Sequence, residues 1–275
     1  MDTLIQATVM GIVQGLTEFL PISSSGHLII VPALLGWTDP FITSLAFSVM
    51  LHMGTLVALL AYFWRDWAAL VPAFFASIRD RTVGNDPDRR LAWLLAVTTI
   101  PAIVLGVLLN DVIENNVREP GTVAVLLIVA AGLMWVADRW SKRSRDVDSL
   151  TVPEAFGIGC AQALALFPGV SRSGISISAG RVLGLERPAA ARFSFLMAAP
   201  VIAGAGAWEA LKLIRGQEPA AAEPVAIVVG FIAALVSGLL AIHYLLRYLA
   251  RHSLDVFVIY RLVLAALVLL WVAVH

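Results

Sequence analysis

The sequence predicts an all-α integral membrane protein, with six transmembrane helices and two re-entrant helical hairpins arranged as an inverted-topology repeat. Three observations carry that expectation. Hydrophobic residues make up 60% of the chain and charged residues only 14%, whereas a soluble domain is about a quarter charged; the mean hydropathy is +0.88. Two apolar stretches are each broken by proline, serine and glycine, at Pro21–Gly26 and Pro168–Gly174. The two breaks are also near-copies. Gly11-x-x-Gln14 lies twelve and nine residues before Ser23, and Gly159-x-x-Gln162 lies twelve and nine residues before Ser171. Each serine opens an S-x-S-G tip, Ser23-Ser24-Ser25-Gly26 or Ser171-Arg172-Ser173-Gly174, and Phe47-Ser48 and Phe193-Ser194 recur after them. Membrane folds built from such repeats place their functional sites at broken helices.

Taken in order, residues 3–20 and 27–36 read as two arms of a first hairpin, because the second arm is about half the roughly 20 residues a spanning helix needs. Backbone can leave the helical ladder at membrane depth only inside protein or beside a wet cavity, so Pro21–Gly26 is expected indoors. No lysine or arginine precedes Arg65, so the first segment is read as retained rather than as a cleaved signal. Phe41–Trp64 is a span. Trp67, Leu70, Val71, Phe74, Phe75 and Ile78 then follow helical spacing, as in a helix lying at the interface. Leu91–Leu109 and Gly121–Ala137 are further spans, joined by a segment carrying Asp111, Glu114, Arg118 and Glu119. Val152–Phe167 and Ile175–Leu185 form the second hairpin, and Phe193–Ile214, Val225–Leu246 and Val256–Val274 complete the six spans. The chain is read as a single membrane domain, 1–275, with repeat one at 1–137 and repeat two at 152–275.

Three crossings per half require the second half to enter the membrane the other way up. Charge placement agrees with that: one side collects Arg65, Arg79, Arg81, Arg89, Arg90, Arg139, Lys142, Arg143, Arg145, Arg187, Arg192, Arg247 and Arg251, against Arg118, Lys212 and Arg215 on the other. The positive-inside rule makes the first side cytoplasmic. Trp37, Trp64, Trp67, Trp93, Trp140 and Trp271 fall near span ends, where interfacial tryptophans belong. A formal net charge of zero gives no argument for nucleic acid, and Cys160, the only cysteine, excludes an intrachain disulfide.

Subtracting loop charges leaves Glu18, His27, His52, Arg172, Arg181 and Arg261 at membrane depth, where each charge costs about 2.5–3.5 kcal/mol on insertion scales. Both tips open a short helix whose free N–H groups and dipole favour an anion. Arg172 between serines would grip a phosphate with paired hydrogen bonds. Gln14 and Glu18, four apart, share a helical face. A serine hydroxyl becomes a nucleophile beside a base, and both Glu18 and His27 flank the serine cluster. Blander readings stand beside these. In them Ser23, Ser24 and Ser25 only cap a half-helix; Arg261 snorkels to the interface; His52 is a packing residue; Arg181 pairs with Glu186 or lipid. The small-residue stretches Gly204–Gly206 and Gly230–Gly238 suit close helix packing, within the chain or in a homodimer.

Gln14-x-x-x-Glu18 followed by FLPISSSGH, and Pro168-Gly-Val-Ser-Arg-Ser-Gly174, resemble the two signatures of the undecaprenyl-pyrophosphate phosphatases of the bacitracin-resistance type. LHMGTLVALLAYF (51–63), IPAIVLG (100–106), AQALALFPGVSRSG (161–174), RFSFLMAAP (192–200) and IYRLVL (259–264) extend the resemblance in the expected order. It implies an enzyme of the bacterial plasma membrane that hydrolyses undecaprenyl pyrophosphate at a site facing the outer side. Carried over, Ser24 is the nucleophile, Glu18 and His27 its acid/base and positioning partners, and Arg172 with Ser171 and Ser173 the phosphate clamp. Gln14, Ser23, Ser25, Gly26, Gly174, Ser176 and Arg261 complete the substrate site. A divalent cation, magnesium or calcium, comes with the family, with Glu18 as its one candidate ligand. Gln14 stands where many members have a second glutamate, Ser48 where an acid is expected, and Ser176 where threonine is common. The alternative function is a prenyl-phosphate transporter or flippase using the same anion site.

Overall fold

The computed structural model describes residues 3–141, 145–214 and 223–274, with backbone alone at 109–116, 209–210 and 213–214. Lys142, Arg143 and Arg215, and the side chains of Asp111 and Glu114, lie outside the described residues. Among those described, the helices are α1 Thr3–Phe19, α2 Ser24–Leu35, α3 Leu45–Tyr62, α4 Trp64–Asp80, α5 Pro87–Asn116, α6 Pro120–Trp140, α7 Val152–Ala163, α8 Arg172–Val182, α9 Arg187–Ile214, α10 Pro224–Leu249 and α11 Asp255–Val274. A single-residue bridge between Arg145 and Leu185 is the only β pairing among them.

The expected six spans are present: α3, α5, α6, α9, α10 and α11 are long and apolar enough to cross a membrane, and the chain is a multi-pass, all-α membrane protein. Local caps move the boundaries. The span expected from Phe41 starts at Leu45, because the Ser44 hydroxyl oxygen accepts the Phe47 N–H at 3.1 Å. The span expected from Leu91 starts at Pro87, because the Asp86 carboxylate accepts the N–H groups of Asp88 and Arg89 at 2.9 and 3.2 Å. The amphipathic segment is α4, which buries only Leu70 and Ser77 and is tied to α5 by the Trp93 indole N–H donating to Ser77 Oγ at 2.8 Å.

The core is assembled by close backbone approach. Helix α10 lies against both α1 and α3, and α7 lies against α5. A Cβ added at Gly11 would stand 2.3 Å from the Gly230 carbonyl oxygen, and one at Gly159 only 2.6 Å from that of Thr98. No side chain fits at either crossing. The Gly230–Gly238 stretch therefore packs within the chain, against α1 and α3, whereas a Cβ at Gly204 would meet nothing within 4 Å.

The basic connections gather at one end. The Arg90 guanidinium donates to the carbonyls of Asp148 and Leu150, Arg192 pairs with Asp66, and Arg139 lies 3.7 Å from Asp255. The centre of this end is Asp138 on α6. Its carboxylate accepts from Arg181 Nε at 3.0 Å, from Arg187 Nε and Nη2 at 2.8 and 2.9 Å, and from the Leu254 N–H at 3.1 Å. Arg181, with no exposed surface, thus pairs with Asp138 and not with Glu186 or lipid. One carboxylate locks α6, α8, α9 and the entry to α11. Asp138→Asn removes the carboxylate charge that both Arg181 and Arg187 face, and we expect a loss of about 3–5 kcal/mol. Thermal unfolding in detergent checks this; an unchanged melting temperature would contradict it.

Candidate active site

The site is built where two broken helices meet. At Ser23 (φ 76°, ψ 91°) and Ser171 (φ 72°, ψ 114°) the backbone enters the left-handed region, which costs a non-glycine residue on the order of 1–3 kcal/mol. Their hydroxyls explain why serine is kept there. Ser23 Oγ accepts the N–H of Gly26 at 3.3 Å and, across the interface, that of Gly169 at 3.0 Å. Ser171 Oγ accepts the N–H of Gly174 at 3.1 Å. Ser173 Oγ returns the link by donating to the Leu20 carbonyl at 3.1 Å. Ser23 and Ser171 are therefore helix caps, while Ser25 and Ser173 sit 3.4 and 3.3 Å from them.

Arg261 on α11 binds the two tips together. It is wholly buried, so it does not snorkel to an interface. Its guanidinium donates to the carbonyls of Pro21 at 3.2 Å, Gly169 at 2.6 Å, Val170 at 3.1 Å and Leu127 at 3.3 Å. Those of Pro21, Gly169 and Val170 lie in the breaks, where the helical ladder cannot reach them and an apolar surrounding offers no water. A Cβ at Gly174 would lie 3.1 Å from Arg261 Nη1, so glycine makes room for the guanidinium.

Glu18 ends α1 beside these tips, only 6% exposed. Its Oε2 accepts from Ser24 Oγ at 2.5 Å and from Gln14 Nε2 at 3.0 Å, and lies 3.6 Å from His52 Nε2. Its Oε1 pairs with Arg172 Nη2. Glu18, Ser24, Ser25, Ser48, His52, Ser171 and Arg172 line one cavity of about 340 Å³, which Leu28, Ile29, Leu45, Val49, Val201 and Ile202 make apolar on another side. Arg172 Nη1 and Gln14 Oε1 are buried without a hydrogen-bond partner among the described residues. A hydroxyl, a carboxylate able to take its proton and a cation are thus assembled beside an apolar wall.

The remaining expected residues divide. Ser176 does not line the cavity; it donates to the Arg172 carbonyl at 2.6 Å and shares a 2.6 Å bond with Ser194. Gly26 stands against Val123 and Gly169 at the tip contact. His27 is not among the residues lining the cavity with Glu18 and Ser24. Its Nδ1 can only donate to the Ser23 carbonyl, at 2.7 Å, so in the neutral ring Nε2 accepts from the Tyr260 hydroxyl, also at 2.7 Å. His52, first read as a packing residue, is the group sequence reasoning undervalued. Its Nδ1 donates to the Ser48 carbonyl at 2.7 Å, which turns Nε2 toward Glu18. Tyr260 was missed altogether, its distance along the chain from His27 giving no signal.

If Arg261 acts by tethering the tips, Arg261→Lys, a point charge that cannot fork across several carbonyls, lowers both the melting temperature and kcat. A raised KM with unchanged melting temperature would instead place Arg261 at the substrate; unfolding scans and steady-state kinetics on the same preparation separate the two.

Comparison with known proteins agrees along the whole chain. A family model described as bacitracin resistance protein BacA matches residues 7–267. Among curated relatives named undecaprenyl-diphosphatase, that of Gemmatimonas aurantiaca is 48% identical over 266 residues, 97% of each chain. Those of Desulforudis audaxviator and Thermomicrobium roseum are 47% identical over 264 residues and 46% identical over 275 residues, covering 96% and 98% of each chain respectively. With both tips, five whole spans, most of the sixth and the paired Glu18 and Arg172 inside the matched region, the chain belongs to the BacA bacitracin-resistance family.

Proposed function

We propose that this protein is a membrane phosphatase that hydrolyses undecaprenyl pyrophosphate to undecaprenyl phosphate and inorganic phosphate, recycling the lipid carrier of cell-wall synthesis and so conferring bacitracin resistance. The observation that carries this reading is the Ser24 hydroxyl donating to Glu18 at 2.5 Å in a cavity shared with Arg172. A transporter or flippase needs an anion clamp but no hydroxyl poised on a base, and the relatives bear a phosphatase name.

In this mechanism Ser24 Oγ attacks the terminal phosphorus while its proton passes to Glu18. The bond from that phosphorus to the bridging oxygen breaks, and undecaprenyl phosphate departs with the electron pair, taking the proton from Glu18. A water then attacks the phosphoserine, giving its proton to Glu18, which returns one to Ser24 Oγ as inorganic phosphate leaves. Arg172 stabilises the charge spread over the transferring group, where a cation is worth most; its unpartnered Nη1 is a donor held ready. His27, occupied by Ser23 and Tyr260, is a positioning residue that holds the first tip. The prenyl tail leaves along the apolar wall toward lipid.

The magnesium or calcium ion implied by the family would meet Glu18 as its carboxylate donor in the cavity; Gln14 turns its Nε2 to that carboxylate and does not line the cavity, and no cluster of three or more His, Cys, Asp or Glu able to hold a metal occurs among the described residues. That suits an ion whose other ligands are phosphate oxygens and water. Such an ion, when bound, neutralises pyrophosphate charge. The bacterial plasma membrane is the proposed location, with the basic end cytoplasmic and the cavity serving the outer side. The halves 1–137 and 152–275 are read as an inverted repeat, supported by the matching places of Gly11 and Gly159 at helix crossings.

Phosphate release from a long-chain prenyl pyrophosphate, by protein purified in detergent with magnesium or calcium, tests this reading. Ser24→Ala and Glu18→Gln should each lower kcat by roughly 10²–10⁴ with lipid binding retained, and Arg172→Ala by at least as much. Full activity in Ser24→Ala would sink the assignment, and an inactive wild type would favour the transporter.

A further inference from the structure

A pyrophosphate headgroup brings more negative charge than the core of the cavity can offset. Glu18 and Arg172 pair with each other, so their charges cancel before substrate enters. Among the described residues lining the cavity, Arg118 supplies the other permanent cation. It sits between α5 and α6 and is half-buried, yet neither a hydrogen bond nor an ion pair engages it among the described residues. Its neighbour Glu119 is exposed.

We propose that Arg118 is a substrate-binding residue that holds the phosphate not under attack, the one that stays on the lipid. This rests on the phosphatase reading above and assigns its preference for a pyrophosphate headgroup. The chain geometry favours it. Ala102 and Gly106 on α5 line the cavity, and the ten residues from Gly106 to the end of α5 rise about 15 Å. Arg118, two residues past that end, therefore starts well along the helix from Gly106 and still lines the same cavity. A partly desolvated guanidinium without a counter-ion is costly to keep unless an anion visits it, and its planar fork matches phosphate oxygens. Attack at Ser24 fixes the terminal phosphate beside Arg172. The adjoining phosphate, which bears the prenyl chain, is then left for the cavity's second guanidinium, Arg118.

The competing source of the same chemistry is a membrane lipid phosphate, which would hold Arg118 at the surface with no part in catalysis. Steady-state turnover of a long-chain prenyl pyrophosphate separates the two, with polyprenyl monophosphate as product inhibitor and Arg118→Gln and Arg118→Lys as variants. If Arg118 holds the lipid-linked phosphate, Arg118→Gln raises KM and the inhibition constant of the monophosphate by about tenfold, the scale of one charged hydrogen bond. In that case kcat stays close to wild type and Arg118→Lys recovers most of the loss. Affinity for the same pyrophosphate lipid is measured alongside. Unchanged affinity and KM in Arg118→Gln, or a fall in kcat alone, would overturn the assignment. A wild type that binds the lipid without turnover counts against the phosphatase reading, and Arg118 is then still judged by affinity.

Discussion

The structure depends on one constraint: backbone that leaves a helix inside a membrane protein must find partners in the protein itself. Two helix breaks meet here, and each frees carbonyls and N–H groups. Arg261 takes the carbonyls of Pro21, Gly169 and Val170, and Ser23 takes the N–H of Gly169. The two tips satisfy one another through these bonds, and this mutual arrangement is what brings Glu18 of one helix against Arg172 of the next.

The two tips share a pattern but not a task. At the offset that carries Ser23 onto Ser171, Glu18 falls on Leu166, Ser24 on Arg172 and His27 on Ile175. The capping serines and the glycines are common to both because both tips face the same backbone problem. The reactive positions differ. The first tip keeps hydroxyl and carboxylate, and the second replaces the hydroxyl with a cation and the carboxylate with an apolar side chain. One tip can then supply the attacking group and the other the charge that receives the phosphate.

Much of this was legible in the sequence because its signals are local. Hydropathy marked six spans, the Pro/Ser/Gly breaks marked the tips, and the spacing of Gln14 and Glu18 put them on one face. What stayed hidden depends on partners far apart in the chain. Arg181 looked toward nearby Glu186, but the carboxylate it meets is Asp138 on another helix. Arg261 read equally well as a lipid-facing residue, since its direction is set by helix rotation and not by its own neighbours. His52 seemed bland because nothing in its sequence surroundings shows that the Ser48 carbonyl orients its ring toward Glu18.

The central claim is that Ser24, activated by Glu18, is the group phosphorylated during turnover. Its most direct test is rapid quenching of the protein with prenyl pyrophosphate labelled in the terminal phosphate, followed by identification of the labelled peptide. The account predicts an acid-stable phosphoserine at Ser24 that forms and decays at rates compatible with turnover. An acid-labile label on His27, or full turnover with no label on the protein at any time, would contradict it.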